Sequence, residues 1–354
     1  MTNPDTYAVE PGDRVVVTGA AGFIGSAVTR ELLARHTHVV ALVEPDGDTR
    51  NLDDLVVERV TVDLRDADGV AKAIDGARTV FHLAALYRFW STDPHSFYDV
   101  NVVGTRNVLT AARESAVGRV VFTSTVGTLG LRGATAEAPV DETSFAHIDH
   151  LFGLYKQSKY VAEHEVLRAG AEGLPVVLVQ PTTPVGPGDH GPTPTGRTVL
   201  EFLNGRIPGF VDTTLNIVDV EDVARGHILA AERGSVGRSY ILGGENLSLQ
   251  QVLASLAETT GLPAPTRRFP NSLALGAAWV SDVVEGRLLH REPSIPLEAA
   301  RMSTTHMSFD DARARRELGY GSRPAGEALA RAARWFADAG YIRPDRLDNF
   351  EWRT

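Results

Sequence analysis

The chain has 354 residues, 43% of them hydrophobic and 23% charged, with a formal net charge of −10. That length exceeds what one core usually supports, which points to a large domain with a smaller companion. The acidic balance argues against nucleic acid or an anionic membrane as principal partner, and the absence of cysteine excludes disulfides, thiolate nucleophiles and thiolate metal sites.

The first stretch, Met1 to Glu10, is polar and lacks the apolar core of a signal peptide, so residues 1–11 are expected to be a flexible N-terminus. Arg14 to Thr18 reads as a strand, Phe23 to Arg35 as a helix and His38 to Val43 as the next strand. Val57 to Val62 and Thr79 to Leu83 follow, each short and apolar enough to be buried on both faces. A helix from about Ser96 to Ser115 leads to the strand Arg119 to Thr123, and a polar loop runs on through Asp149. A helix from about Tyr155 to Ala169 and a strand Pro175 to Val179 complete the alternation. Strands and helices at this spacing imply right-handed crossovers and a parallel, doubly wound α/β sheet. Residues 181–214 are rich in proline, glycine and threonine, and periodicity fades there. Helical patterns return at Val220 to Glu232, Ser248 to Thr260 and Glu327 to Ala339. The expected organisation is a dinucleotide-binding domain over 12–180 and a smaller, interleaved substrate-binding domain over 181–215 and 246–354. About 216–245 return to the sheet. The apolar run Leu273 to Val284 is too short to span a bilayer, and a cytoplasmic enzyme is the expectation.

The first strand runs directly into Gly19-Ala20-Ala21-Gly22-Phe23-Ile24-Gly25. This Gly-x-x-Gly-x-x-Gly turn lets the backbone approach a pyrophosphate on the free amides of the following helix. At the end of the second strand, Glu44 suits the ribose hydroxyls of NAD and repels the 2′-phosphate of NADP. Arg50, six residues on, keeps NADP as the alternative. Asp63 suits either an adenine contact or a helix N-cap.

Tyr155-Lys156-Gln157-Ser158-Lys159 puts Tyr155 and Lys159 one turn apart on one helix face. An ammonium beside a phenol, with the positive nicotinamide of an oxidised cofactor, should lower the tyrosine pKa from its ordinary ~10. Tyr155 then serves as general acid or base for a carbonyl or alcohol, and Lys159 holds the nicotinamide ribose. Thr123-Ser124-Thr125, at the end of a strand, offers a hydroxyl to orient the substrate oxygen: Thr125 first, Ser124 second. Only three of the 35 basic residues are lysines (Lys72, Lys156 and Lys159); such scarcity singles them out for tasks that arginine does not fill, although Lys72 has no evident task of this kind.

With these motifs in place, the chain resembles the extended short-chain dehydrogenase/reductases of the NAD-dependent epimerase/dehydratase superfamily over nearly its whole length. Further matching stretches are Asp63-Leu64, His82-Leu83-Ala84-Ala85, Asn101 to Thr105, Val218 to Ala224 and Arg316 to Tyr320. Tyr87-Arg88-Phe89-Trp90, Pro192 to Arg197 and Tyr240 to Asn246 are similar to the branch holding hopanoid-associated sugar epimerases and dihydroflavonol-reductase-like proteins. The resemblance implies cofactor contacts at Ala21, Phe23, Ile24, Leu64, Leu83, Ala84, Ala85 and Pro181, a substrate contact at Thr183, and a homodimer paired through the two long helices. Asn101 suits a cofactor-side proton relay or a structural role in its helix, and Arg88, Phe89 and Trp90, which follow the fourth strand beside the nicotinamide pocket, suit either substrate contacts or an exposed loop of packing residues. That branch usually has arginine where Glu44 stands. The segment Pro181 to Pro187 lacks the asparagine that holds nucleotide sugars, and Thr125 precedes Val126-Gly127 rather than the Asp-Glu pair of dehydratases. The expected partner is a small non-nucleotide metabolite. The competing readings are a reductase, an epimerase that keeps its NAD, and a dinucleotide sensor without chemistry. His147 and His150 flank Asp149 in a loop without further ligand partners, so no metal is expected.

Overall fold

The computed structural model describes residues 7–352 apart from 89, 132, 136, 137, 290, 292, 294–296, 303, 304 and 349. The first half is β1 (Arg14–Thr18), α1 (Phe23–Ala34), β2 (His38–Val43), β3 (Glu58–Thr61), α2 (Ala67–Ile74), β4 (Thr79–His82), α3 (Ser96–Tyr98), α4 (Gly104–Glu114), β5 (Arg119–Thr123), α5 (Leu154–Ala171) and β6 (Val176–Pro181). A π-helical turn, Asp99–Val103, joins α3 to α4. The second half is β7 (Thr183–Val185), α6 (Pro194–Leu203), β8 (Thr214–Asp219), α7 (Val220–Arg233), β9 (Ser239–Leu242), β10 (Glu245–Ser248), α8 (Leu249–Thr260), α9 (Asn271–Ser281), α10 (Leu297–Met302), α11 (Ala312–Leu318) and α12 (Ala325–Asp338).

Seven parallel strands form one sheet in the order β3-β2-β1-β4-β5-β6-β9. Alternate side chains of a strand leave opposite faces, and here both faces are covered. Val15 and Val17 join a core under α1 and α7, while Val16 joins the core under α2, α4 and α5. The order reverses between β1 and β4, so a crevice opens at their carboxyl ends, the place where open α/β sheets bind ligands.

A three-stranded sheet, β10-β8-β7, carries the smaller unit, and its core is built from α6, α8 and α12 around Phe202, Leu256 and Phe336. Within the 216–245 segment, β9 joins the large sheet and α7 packs on α1, whereas β8 stays in the small sheet. The sequence pattern left 181–214 irregular, but α6 forms there, with Thr193 capping Gly196 N–H and Pro194 in the first turn.

Residues 7–9 of the expected flexible N-terminus are packed on the domain, whereas Glu10 and Pro11 are exposed. Val9 is buried, Tyr7 Oη donates to the Arg78 carbonyl at 3.0 Å, and the guanidinium groups of Arg78 and Arg119 lie over its ring. Burying that ring and satisfying its hydroxyl offsets the entropy of ordering the segment.

Candidate active site

The glycine turn is fixed by close backbone approach. Gly19 has φ +67°, and a Cβ there would lie 2.8 Å from the Ala84 backbone. A Cβ on Gly25 would lie 2.0 Å from the Gly19 carbonyl oxygen, so a side chain at either position pushes strand and helix apart. α1 begins at Gly22 with no side chain capping its amides. Those free donors and the absent side chains make the cradle an anion needs, and a dinucleotide pyrophosphate fits it. Gly19, Gly22, Phe23, Ile24 and Gly25 line the site cavity, while Ala21 packs against the core outside that lining, its carbonyl accepting from Asn51 Nδ2 at 3.1 Å.

Beyond the turn, Glu44 is exposed directly after β2. Arg50 is forked onto Asp48, with Nη2–Oδ2 at 2.6 Å, so its charge is already engaged. Asp63 is likewise forked by Arg65, which holds its carboxyl below the usual range. Glu44, Asp63, Leu64 and Ala84 lie outside the cavity lining, whereas Leu83, Ala85, Pro181 and Thr183 are part of it.

Tyr155, Lys159 and Thr125 meet in this cavity. The Thr125 hydroxyl accepts from Gly127 N–H at 3.1 Å and stands beside the Tyr155 phenol, whose ionised form it favours. Ser124 also lines the cavity, but its hydroxyl donates to the Glu163 carboxylate, which also accepts from Thr128 at 2.9 Å. Lys159 is 2% exposed. Its Nζ donates to the Thr123 carbonyl at 2.7 Å and lies 4.2 Å from the Phe122 ring centroid.

The sequence-based expectation of a depressed tyrosine is not met by the chain's own groups. Burial raises the Tyr155 phenol above its ordinary value, outweighing the Thr125 hydrogen bond, and the Glu298 carboxylate adds to the rise. Burial also pulls the Lys159 ammonium down to about 7, against the opposing pull of Glu163, because charge in a dry site is costly.

Asn101 sits in the π-helical turn, is 1% exposed and does not line the cavity. Its Oδ1 accepts from Leu86 N–H at 2.7 Å, and its Nδ2 donates to Ser158 Oγ at 2.9 Å. It therefore ties the loop after β4 to the catalytic helix as a positioning residue. His82, absent from the sequence-based candidates, bridges Thr18 Oγ1 at 2.7 Å and Thr105 Oγ1 at 2.9 Å, and burial lowers its imidazole to about 3. A neutral ring stitches β1, β4 and α4 behind the site.

The cavity has a volume of about 420 Å³. Its far half is built by Val126, Leu131, Leu215, Leu249, Met307 and Phe309, with threonines 193, 195, 198 and 213 between them. Of the loop after β4, Tyr87 lines the cavity, its ring centroid 4.7 Å from that of Tyr155. Arg88 is exposed and Trp90 lies outside the lining, near Gly286; Phe89 falls outside the described residues. Pinning at Leu86 explains why the residue directly after it turns inward. Among the described residues no cluster of three potential ligands suits a metal, and no helix is long and apolar enough to cross a membrane.

Residues 15–243 match the NAD dependent epimerase/dehydratase family. A Synechocystis protein provisionally named a dihydroflavonol 4-reductase is 42% identical over 94% of this chain and 96% of its own. Sterol demethylase protein B of Methylococcus capsulatus is 36% identical, covering 92% of this chain and 99% of its own. The crystal structure of gox2253 superposes with a TM-score of 0.82 at 42% identity, over 94% of this chain and all of the other (100%).

Proposed function

Because this chain belongs to the NAD-dependent epimerase/dehydratase family, we propose that it is a reductase of that family, converting a ketone or aldehyde of a small, largely apolar metabolite into the alcohol. The observation that carries this reading is the set of charges on the cavity wall. Among the described residues, thirty line the cavity, and only Lys156 and Lys159 of these are charged. A nucleotide sugar brings a diphosphate that needs two or three cationic partners once buried. Arg197 and Arg206, the arginines best placed in sequence, are both exposed and outside the lining, and Arg206 is engaged by Glu201. Val126 and Gly127 occupy the positions after Thr125, so the acid–base pair of an elimination is missing. The names of the two relatives, a dihydroflavonol reductase and a sterol-processing protein, agree with an apolar ring-bearing substrate.

A bound nicotinamide dinucleotide supplies the hydride for reduction and, when oxidised, adds positive charge above the site. The chain's residues do the rest. Tyr155 and Thr125 receive the carbonyl oxygen, and Tyr155 Oη gives up its proton as negative charge develops there. A phenol raised by burial stays protonated across the neutral range, which suits donation and therefore the reductive direction. Lys159, fixed by the Thr123 carbonyl, faces the cofactor side and holds the ribose. Glu44 at the strand end and the engagement of Arg50 by Asp48 support NAD over NADP.

The test is to offer aryl and alicyclic ketones with NADH and with NADPH and to follow nicotinamide absorbance. Stoichiometric NADH consumption is the expected result. Micromolar calorimetric binding of uridine or thymidine diphosphate sugars, with isomerisation and no net NADH loss, would replace this reading with the retained-cofactor epimerase.

A further inference from the structure

The chain uses arginine for almost every cation, yet two of its three lysines line one cavity. Lys159 is consumed on the cofactor side by its bond to Thr123. Lys156 is not. Its stem packs beside Gly127, where a Cβ would lie 3.4 Å from Lys156 Cγ and 3.5 Å from Cε, and its side chain is 15% exposed. The one described ion-pair partner of its ammonium is Glu298, at 3.9 Å, and no described residue accepts a hydrogen bond from it. Glu298 reaches in from α10 and packs against Gly153 at the start of α5, and its Oε1 has no hydrogen-bond partner either.

A buried ion pair with both partners left short of hydrogen bonds is unfavourable by itself. The arrangement makes sense if the three donors of the ammonium are kept for a ligand. The cavity limits what that ligand is: Val126, Leu131 and Phe309 give its far half apolar walls, and Tyr155, which receives the reacting carbonyl, lines the same cavity as Lys156.

We propose that Lys156 is the specificity-determining residue for a substrate carboxylate close to the reacting carbonyl, so that the preferred substrate is an apolar oxo acid, with Glu298 as the ammonium's resting partner. The inference rests on the reductase reading and names its substrate class. In the reaction, the hydride of the reduced nicotinamide adds to the carbonyl carbon, the Tyr155 proton goes to its oxygen, and the carboxylate leaves unchanged in a hydroxy acid. Lysine suits the task where arginine does not, because a compact point charge on a flexible stem fits the narrow space over Gly127. Burial lowers the Lys156 ammonium and raises the Glu298 carboxyl to about 7, so an incoming carboxylate meets a partner already weakened as a competitor.

The experiment compares 4-phenyl-2-oxobutanoate with its ethyl ester, by calorimetry on the protein saturated with NADH analogue and by turnover with NADH. The acid is expected to bind about tenfold tighter than the ester. In Lys156→Met that preference should fall to near unity, with dinucleotide affinity unchanged. Glu298→Gln, which removes the competing charge but keeps the lysine, should tighten acid binding severalfold, and it serves as the second arm if Lys156→Met folds poorly. Equal binding of acid and ester by the unmodified protein, or an undiminished preference in Lys156→Met, overturns the assignment. Failure of the reductase reading looks different: the acid then binds in a Lys156-dependent manner while neither compound consumes NADH.

Discussion

The two halves of the cavity are built by opposite means. The cofactor half is backbone: one continuous run from β1 through Gly19, Gly22 and Gly25 into α1, closed by the strand ends after β4 and β5. Its tolerance is set by contacts as close as the 2.0 Å a Gly25 Cβ would make with Gly19. The substrate half is side chain: single residues sent from 126–131, 193–198, 213–215, 249 and 307–309, most of them apolar and replaceable by others of similar volume. A turn that must admit a pyrophosphate leaves little freedom, whereas a wall that must exclude water leaves much. The chemistry is fixed on the first half, and the choice of substrate is made on the second.

The largest effect should come from the seam between them. Tyr155→Phe keeps the ring that packs on Tyr87 but removes the proton, so turnover should fall about 100- to 10,000-fold with dinucleotide affinity nearly unchanged. A variant within tenfold of the parent would move the proton donor elsewhere. Next comes the backbone itself: Gly25→Ala should cost at least about 2 kcal/mol of stability and abolish dinucleotide binding. Gly276→Ala in α9 meets nothing within 4 Å, and it should be neutral or slightly stabilising in the same denaturation experiment. If both glycines tolerate alanine equally, the contrast between a strict turn and a loose wall collapses. Smaller still is Glu44→Arg, expected to shift the ratio of NADP to NAD affinity by about tenfold or more toward NADP. Tighter NADP binding by the unmodified protein would show instead that Arg50 leaves Asp48 for a phosphate.

That same contrast decides what could be read from residues alone. β1, the glycine turn and α1 are local: a β-branched run, three glycines and a periodic helix state their geometry within about twenty residues. Tyr155 and Lys159 were legible because their spacing is helical. Direction is harder to read. Arg88 and Trp90 are as good candidates in sequence as Tyr87, which lines the cavity, because the Asn101–Leu86 bond in this loop joins residues 15 apart and leaves no periodic trace. Of the two roles Asn101 suits in sequence, the structural one matches its amide, which bonds Leu86 and Ser158. α2 escaped notice despite the signal in Asp66, whose carboxylate caps Gly69 N–H. Thr193-Pro194 is a helix start written in the sequence, masked there by the neighbouring prolines. Lys156 and Glu298 lie 142 positions apart, and only the fold brings them together.

The last expected effect leaves turnover aside and is read only in the pH dependence of stability, in the loop after β7. Asn51 Nδ2 donates to the carbonyls of Ala21 at 3.1 Å and Gly188 at 2.9 Å, tying this loop to the glycine turn. The next residue, Asp189, is 2% exposed and accepts from Thr193 N–H at 2.9 Å and from Thr193 Oγ1 at 2.8 Å, with no ion-pair partner among the described residues. Burial outweighs those bonds and raises its carboxyl from 3.8 to about 6. A carboxyl raised in the folded state contributes stability that is fully present below its unfolded value and is lost as pH rises through the folded one. Stability should therefore fall between about pH 4 and pH 6 on account of this group, by up to ~3 kcal/mol at roughly 1.4 kcal/mol per unit. Asp189→Asn keeps an acceptor for Thr193 N–H and removes the titration, so its stability profile should be flatter across that window, with the parent and variant curves closest at acidic pH and diverging toward neutral pH. Dinucleotide affinity should change little, because Asn51 holds the backbone of Gly188 rather than the Asp189 side chain. Parallel profiles for the two proteins would mean that Asp189 stays ionised as in water, and that the loop is held by Asn51 alone.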